Sequence, residues 1–460
     1  MNLAETAWAA LNQALEVYQD NPRATHWLHR HLARFSEPLR LAIVGAEGTG
    51  KSTLLNAIVG EQVELGVRAT AEYRASATVS ATVYPTGAPP RELPMARVDR
   101  RLQLDAGGIE VSPADRVVVN WPSRSLRDLV LIDTPAGQIP DADAVLHLMP
   151  RPQNADLQPL RTLYDNPVAG ATPINTLVVL SRADEIGAGR VDALISARQI
   201  ARRHRREPEL RELCQDVVPV AGLLASAGRT LEEPEFEALA ALATIPKADL
   251  DSHLLSVDRF AHKESPLPGS AALRRQLVQR FGLFGVRLAV MLIRQGSDTV
   301  PTLAAQLVQR SGFGELRDAI GQCFTDRTPV FKARSALIAL EVLLRMEPHP
   351  GTVGLAASID RALAGAHDFR ELRLLASLRT GKVTLPEDLA AEALRLVGGE
   401  GTDPAARLGV EDEPSTSDVQ YLLADIFPRW RGQAENPALG AEERRAAKVV
   451  VRSCEALAQV

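Results

Sequence analysis

Eight residues, Gly45-Ala-Glu-Gly-Thr-Gly-Lys-Ser52, carry the most specific chemistry in the chain. They fit the pattern G-x-x-x-x-G-K-[ST] in full. The apolar run LAIV precedes them and STLLNAIVG follows, which is the strand-to-helix context the pattern requires. Glycines at Gly45, Gly48 and Gly50 let backbone N–H groups, those of Glu47 and Thr49 among them, crowd around a phosphate. The helix N-terminus, which begins with Lys51, Ser52 and Thr53, adds partial positive charge. In such a loop Lys51 reaches the β- and γ-phosphates and Ser52 offers an oxygen to Mg²⁺.

A second cluster bears on which nucleotide is held. The β-rich run TLVVL ends in Ser181-Arg182-Ala183-Asp184. GTPases place [NT]-K-x-D at this point. The aspartate there accepts two hydrogen bonds from the guanine edge, and adenine lacks that pair of donors. A site built on paired hydrogen bonds rejects the wrong base by roughly 10⁴. In this chain Asp184 is the acceptor, Arg182 supplies the stem that lies over the ring, and Ser181 replaces the small polar residue. An aspartate at a helix start also serves as a cap, the alternative use of Asp184. The next strand, DVVPVAG, brings the last base-side loop near Ala221-Gly222.

The run LVLIDTPAG places Asp133 at a strand end, where it would hold a Mg²⁺-bound water. GTPases follow this aspartate with x-x-Gly; here the third residue is Ala136, and Gly137 comes one position late. The Cβ of alanine restricts the backbone that would present an N–H to the γ-phosphate. A switch threonine is sought between Val67 and Gly87, where Thr70, Ser76 and Thr78 are candidates. The residues that bind nucleotide are thus intact in type, whereas those that sense and cleave the γ-phosphate are altered.

The elements that must position these groups follow from periodicity. RLAIVG, DLVLID, NTLVVLS and DVVPVAG read as buried parallel strands with amphipathic helices between them. The chain is therefore read as an α/β P-loop GTPase domain, a mostly parallel sheet with flanking helices, inserted in an elongated all-α helical bundle. Residues 1–36 are N-terminal helices joining the bundle, 37–230 form the GTPase domain, and 231–460 complete the bundle as neck and trunk. Beyond Leu231 only helical periodicity remains, as in Leu273, Leu277, Phe281, Phe284 and Leu288. Pro329 separates two such helices, since it cannot donate an intrahelical bond. The stretch 398–418 reads as a flexible linker.

Bulk composition excludes several classes. A net charge of −5 gives no basic excess for nucleic acid. Cys214, Cys323 and Cys454 lie far apart, with neither metal nor disulfide spacing, which fits a reducing cytoplasm. The N-terminus does not read as a signal peptide. FGLFGVRLAVMLI, from Phe281, is short and carries Arg287 at its centre, so any membrane contact is expected to be peripheral. The basic cluster 202–206 reads as a solvated helix face. His26, His29 and His31 lack the i, i+4 spacing of a metal helix.

The phosphate loop, SRADEIGAGR, VVPVAGLLA, LLSVDRFAHKESPLP, FGLFGVRLAV and RSGFGELRDAIGQCF together resemble the bacterial dynamin-like proteins. More closely they resemble the actinobacterial isoniazid-inducible, IniC-type branch, over nearly the whole chain. The resemblance implies a GTPase head on a helical neck or trunk, with GTP or GDP and Mg²⁺ bound at the head. It implies dimerisation through the head, with itself or with a sister dynamin-like protein. It also implies contact with peripheral membrane lipid and remodelling or protection of the cytoplasmic membrane from its inner face. The family's D-T-P-G is D-T-P-A-G here, and Tyr73 falls where relatives carry their switch threonine. A weakly active or non-hydrolysing nucleotide-binding scaffold is the alternative.

Overall fold

The computed structural model describes residues 3–66, 69–98, 101–104, 111–135, 138, 141–151, 157–158, 160–161, 173–188 and 192–459. Twelve strands are present among them: β1 Leu39–Val44, β2 Val63–Glu64, β3 Thr70–Ala75, β4 Ser80–Tyr84, β5 Arg91–Leu93 and β6 Met95–Val98, then β7 Arg101–Leu104, β8 Arg116–Trp121, β9 Leu129–Asp133, β10 Ala144–Met149, β11 Thr176–Leu180 and β12 Val217–Pro219. Nine of them form one sheet in the order β12-β11-β10-β1-β9-β3-β8-β4-β5, and β2, β7 and β6 form a small second sheet. The five strands from β12 to β9 run parallel. β3 then reverses against β9, and β8 follows β3 in parallel. β1, β10 and β11 are buried along their whole length, which explains why they are mostly apolar, Arg40 and His147 being the charged or polar exceptions within β1 and β10. The segment from β2 to β8 adds seven strands that do not show as apolar runs. They are short, and several expose one face, so their pattern is weak.

The remaining described chain is helical. The first helix, Leu3–Val17, ends before Asn21, whose side chain accepts from Ala24 N and caps the next helix, Pro22–Ala33. Leu3–Val17 lies against Thr328–Met346 and Val353–Gly365, so the N-terminal helices pack with helices more than 300 residues away. Ala271–Arg294 packs on Gly222–Arg229 and Glu233–Ala243. Among the described residues it is the one helix long and apolar enough to cross a membrane by length and composition. It runs 24 residues, further than the apolar stretch alone suggests, and buries Phe281, Phe284, Leu288 and Leu292 in a protein core.

The stretch expected to be a flexible linker is anchored instead. Asp403 caps a short helix, Pro404–Leu408, and Ser415 caps Thr416–Glu435. Arg407 grips Glu371 through two hydrogen bonds of 2.9 and 3.0 Å. Arg327 donates to the carbonyls of Val397 and Gly398. Local composition could not reveal these partners, because they lie 36 and 71 residues away in sequence.

A buried ionic node joins the sheet to the helices. Asp143, just ahead of β10, accepts from Lys332 Nζ at 2.8 Å, Ser335 Oγ at 2.7 Å and Arg40 N at 2.9 Å. Arg34 lies 3.6 Å away. Burial would raise the Asp143 carboxyl, but the charges of Lys332 and Arg34 hold it below the usual range. Arg40 pairs with Glu72 on β3 at 2.6 Å, and Arg74 adds a contact at 2.7 Å. Burial opposes ionisation of Glu72, yet Arg40 and then Arg74 keep its carboxyl at about 2. Lys332→Met should strand the Asp143 charge in the core and cost about 3–5 kcal/mol of stability. Urea unfolding tests this. A loss below ~1 kcal/mol would show that the node is not what holds Asp143.

Candidate functional site

All five parallel strands end on the same edge of the sheet, and the sequence-predicted residues gather there. The loop after β1 turns through three glycines with positive φ: Gly45 at 149°, Gly48 at 77° and Gly50 at 95°. At Gly45 a Cβ would come within 2.6 Å of the Leu148 carbonyl oxygen on β10, so no side chain fits. Gly50 starts the helix Lys51–Val59. Thr49 Oγ1 donates to Ala46 O at 2.9 Å and pins the loop from inside. Glu47 is exposed on its crest, and Ser52 is exposed at the helix start. Lys51 Nζ donates to Gly45 O at 2.9 Å and Ala46 O at 3.0 Å, so its ammonium lies folded over the loop.

The loop after β11 touches the loop after β1 directly. Arg182 has φ 53°, the one positive value at a non-glycine among the described residues. That conformation is uncommon for a long side chain, and it is held by two contacts. Arg182 Nη2 donates to Gly48 O at 2.6 Å, and Nη1 donates to Glu185 Oε1 at 3.0 Å. Asp184, two residues on, is buried, and burial raises its carboxyl above the ordinary value. Ser181 Oγ is buried with no hydrogen-bond partner among the described residues. Gly222, at the start of the helix after β12, faces the Thr53 methyl.

Ser52 and Asp133 line one cavity of about 370 Å³. Burial pushes the Asp133 carboxyl up to about 6, against the opposing charge of Lys51. A serine hydroxyl and an under-compensated carboxylate form a hard-oxygen donor set that fits Mg²⁺. Tyr73 lines the same cavity. Its hydroxyl is raised by burial and by the Asp133 charge. Ala71 pairs with Asp133 in the antiparallel register of β3 and β9. Thr70 therefore lies at the phosphate-loop edge of the sheet, where its Oγ1 donates to Gln138 Oε1 at 3.0 Å. Ser76 and Thr78 follow β3 and so lie at the opposite edge, which removes both as switch candidates. The Ala136-Gly137 departure lies outside the described residues.

One participant was not visible in sequence. Helix Ala271–Arg294 breaks its own geometry at Gly282, with φ 66° and ψ 167°. A Cβ there would sit 3.7 Å from Asp184 Oδ2. One turn earlier, Gln279 and Arg280 line the cavity of Ser52 and Asp133. A single helix therefore flanks both Asp184 and Asp133. Gly282 lies 98 residues beyond Asp184, and no local pattern links them.

No family model matches the chain. The isoniazid-induced protein IniC of Mycobacterium tuberculosis is 36% identical over 492 aligned residues, covering 99% of this chain and 98% of the relative. The same values hold in a second strain of that organism.

The chain belongs to the IniC family.

Two solved structures of an oligomerised bacterial dynamin pair, described as sensing and tethering membranes, also align over 99% of this IniC-family chain. Each is 13% identical to it; 73% and 79% of those chains are covered, with TM-scores of 0.32 and 0.33.

The burial of Asp133 gives a pH test. Its carboxyl ionises near 3.8 ordinarily and at about 6 in the folded chain. The unfolded chain therefore gains from ionisation first, and stability falls as pH rises from 3.8 to about 6, then stays level. Asp133→Asn should raise Tm at pH 8 by about 2–4 °C and leave it unchanged at pH 3. A Tm at pH 8 equal to that of the wild type would contradict the uncompensated burial.

Proposed function

We propose that the chain is a dynamin-like GTP-binding protein and a GTPase. The observation that carries this reading is the contact between Arg182 and Gly48, which joins a complete phosphate loop to a base-side loop ending in Asp184. Asp184 accepts the paired donors of guanine, and the Arg182 stem covers the ring. Lys51 and the loop amides stabilise negative charge as it shifts among the phosphate oxygens. Ser52 would hold Mg²⁺ directly and Asp133 through water; the ion would neutralise charge on the β- and γ-phosphates. The resemblance to dynamin-like proteins supports dimerisation through the head, with itself or a sister protein. It also supports work on the cytoplasmic membrane from its inner face, as a peripheral protein.

A second reading is a nucleotide-binding scaffold of low or no turnover that partners an active GTPase. Tyr73 favours it. On the resemblance Tyr73 falls where relatives carry their switch threonine, and here it is buried in β3 opposite Leu131, where its strand leaves little freedom to move.

Single-turnover GTP hydrolysis over a range of protein concentrations separates the two. A rate that rises with concentration, and falls at least about 10²-fold in Lys51→Ala, is expected for the GTPase. Retained guanine nucleotide with no turnover at any concentration would establish the scaffold.

A further inference from the structure

Helices His367–Arg379 and Ala441–Leu457 pack side by side and leave a groove of about 550 Å³ between them. Five cations and one carboxylate line it: Arg370 and Arg373 on one wall, Arg445, Lys448, Arg452 and Glu442 on the other. The spacings, i and i+3 on the first helix and i, i+3 and i+7 on the second, place each set on one helix face. All five are exposed. Arg445 is paired with Glu442 at 2.7 Å and Arg452 with Glu455 at 2.7 Å. Among the described residues, Arg370, Arg373 and Lys448 have no carboxylate partner. This concentration of positive charge runs against a chain whose net charge is −5.

The groove floor is apolar, formed by Leu374, Val383, Ala446 and Val449. His367 closes one end. Its Nε2 lies 3.0 Å from Ser453 Oγ, and its Nδ1 is buried without a partner. Three exposed cations without carboxylate partners, on two facing walls, give the groove a positive potential that an anion complements. Four of the five cations are arginines, whose planar forks match phosphate oxygens in pairs. Seven residues of helix separate Arg445 from Arg452, about 10 Å. That length suits one or two phosphate groups and is too short to track a nucleic-acid strand. The apolar floor adds a requirement for an apolar portion next to the phosphate.

We infer that this groove binds a phosphate ester anion with an apolar portion, at a site separate from the phosphate loop. The shared chemistry is met by an anionic phospholipid headgroup or by a free phosphate ester. The test compares wild type with the double charge reversal Arg373→Glu/Lys448→Glu, with circular dichroism confirming the fold. Lys448→Arg, which keeps the charge, serves as the second variant. Three probes are used: vesicles of phosphatidylglycerol against phosphatidylcholine, soluble hexyl phosphate, and a polyglutamate peptide. The phosphate loop takes phosphate too, so binding is read as the difference between wild type and variant with GDP and Mg²⁺ in excess.

At least tenfold weaker binding of the phosphate probes by the charge reversal, with Lys448→Arg unchanged, is expected. If the vesicles alone show that loss, the ligand is a lipid headgroup. If hexyl phosphate shows it equally, the ligand is a free phosphate ester. Equal binding of both phosphate probes by wild type and the charge reversal would overturn the site. Polyglutamate bound in preference to both would also overturn it and make the groove a protein-docking surface.

Discussion

Burial of the Asp143 carboxylate is the constraint on which the rest of the architecture depends. An isolated charge in a core is too costly to persist, so its partners are obligatory. They come from three parts of the chain: Arg34 after the N-terminal helices, Arg40 on β1, and Lys332 and Ser335 on the long bundle helix. Lys332 also donates to the carbonyl of Pro38, at the entry to β1. Through these contacts the bundle grips the starting end of β1. The opposite end of that six-residue strand opens into the phosphate loop. The chemical end of the molecule is therefore one strand away from the end held by the helices. β10 repeats the arrangement, with Asp143 just ahead of it and the Leu148 carbonyl against Gly45.

Five of the buried acids fall into two environments. Asp143, Glu72 and Glu371 are surrounded by cations, and each is held below the ordinary range. They act as structural anchors. Asp133 and Asp184 sit at the phosphate-loop edge, and burial pushes both upward. These two are left under-compensated in a place where a cation and a paired hydrogen-bond donor would satisfy them. Perturbation of this kind accompanies functional sites more than structural ones. The strained backbone of Arg182 lies between Ser181 and the acid Asp184, tied to Gly48.

Much of this was legible before the fold was known, for physical reasons. The phosphate loop is a local device in which glycine positions, lysine and serine must be contiguous. β1, β9 and β11 are buried on both faces and read as apolar runs. What stayed hidden is non-local or one-sided. Strands β2 to β8 are short and half exposed, so their alternation is faint. Ser76 and Thr78 could be set aside only once the antiparallel register of β3 on β9 was known. The anchoring of 398–418 depends on Glu371 and Arg327, which no window of local composition contains. Gly282 joins the site through a kink in a helix whose apolar pattern continues on both sides.

The most direct test of a guanine-specific nucleotide site is equilibrium competition of GDP and ADP, each with Mg²⁺, against a fluorescent guanine nucleotide on the full chain. Asp184 and the phosphate loop acting together should favour GDP by about 10³-fold or more. Equal displacement by ADP would contradict the assignment of Asp184 to the base, and no binding of either nucleotide would contradict the site itself.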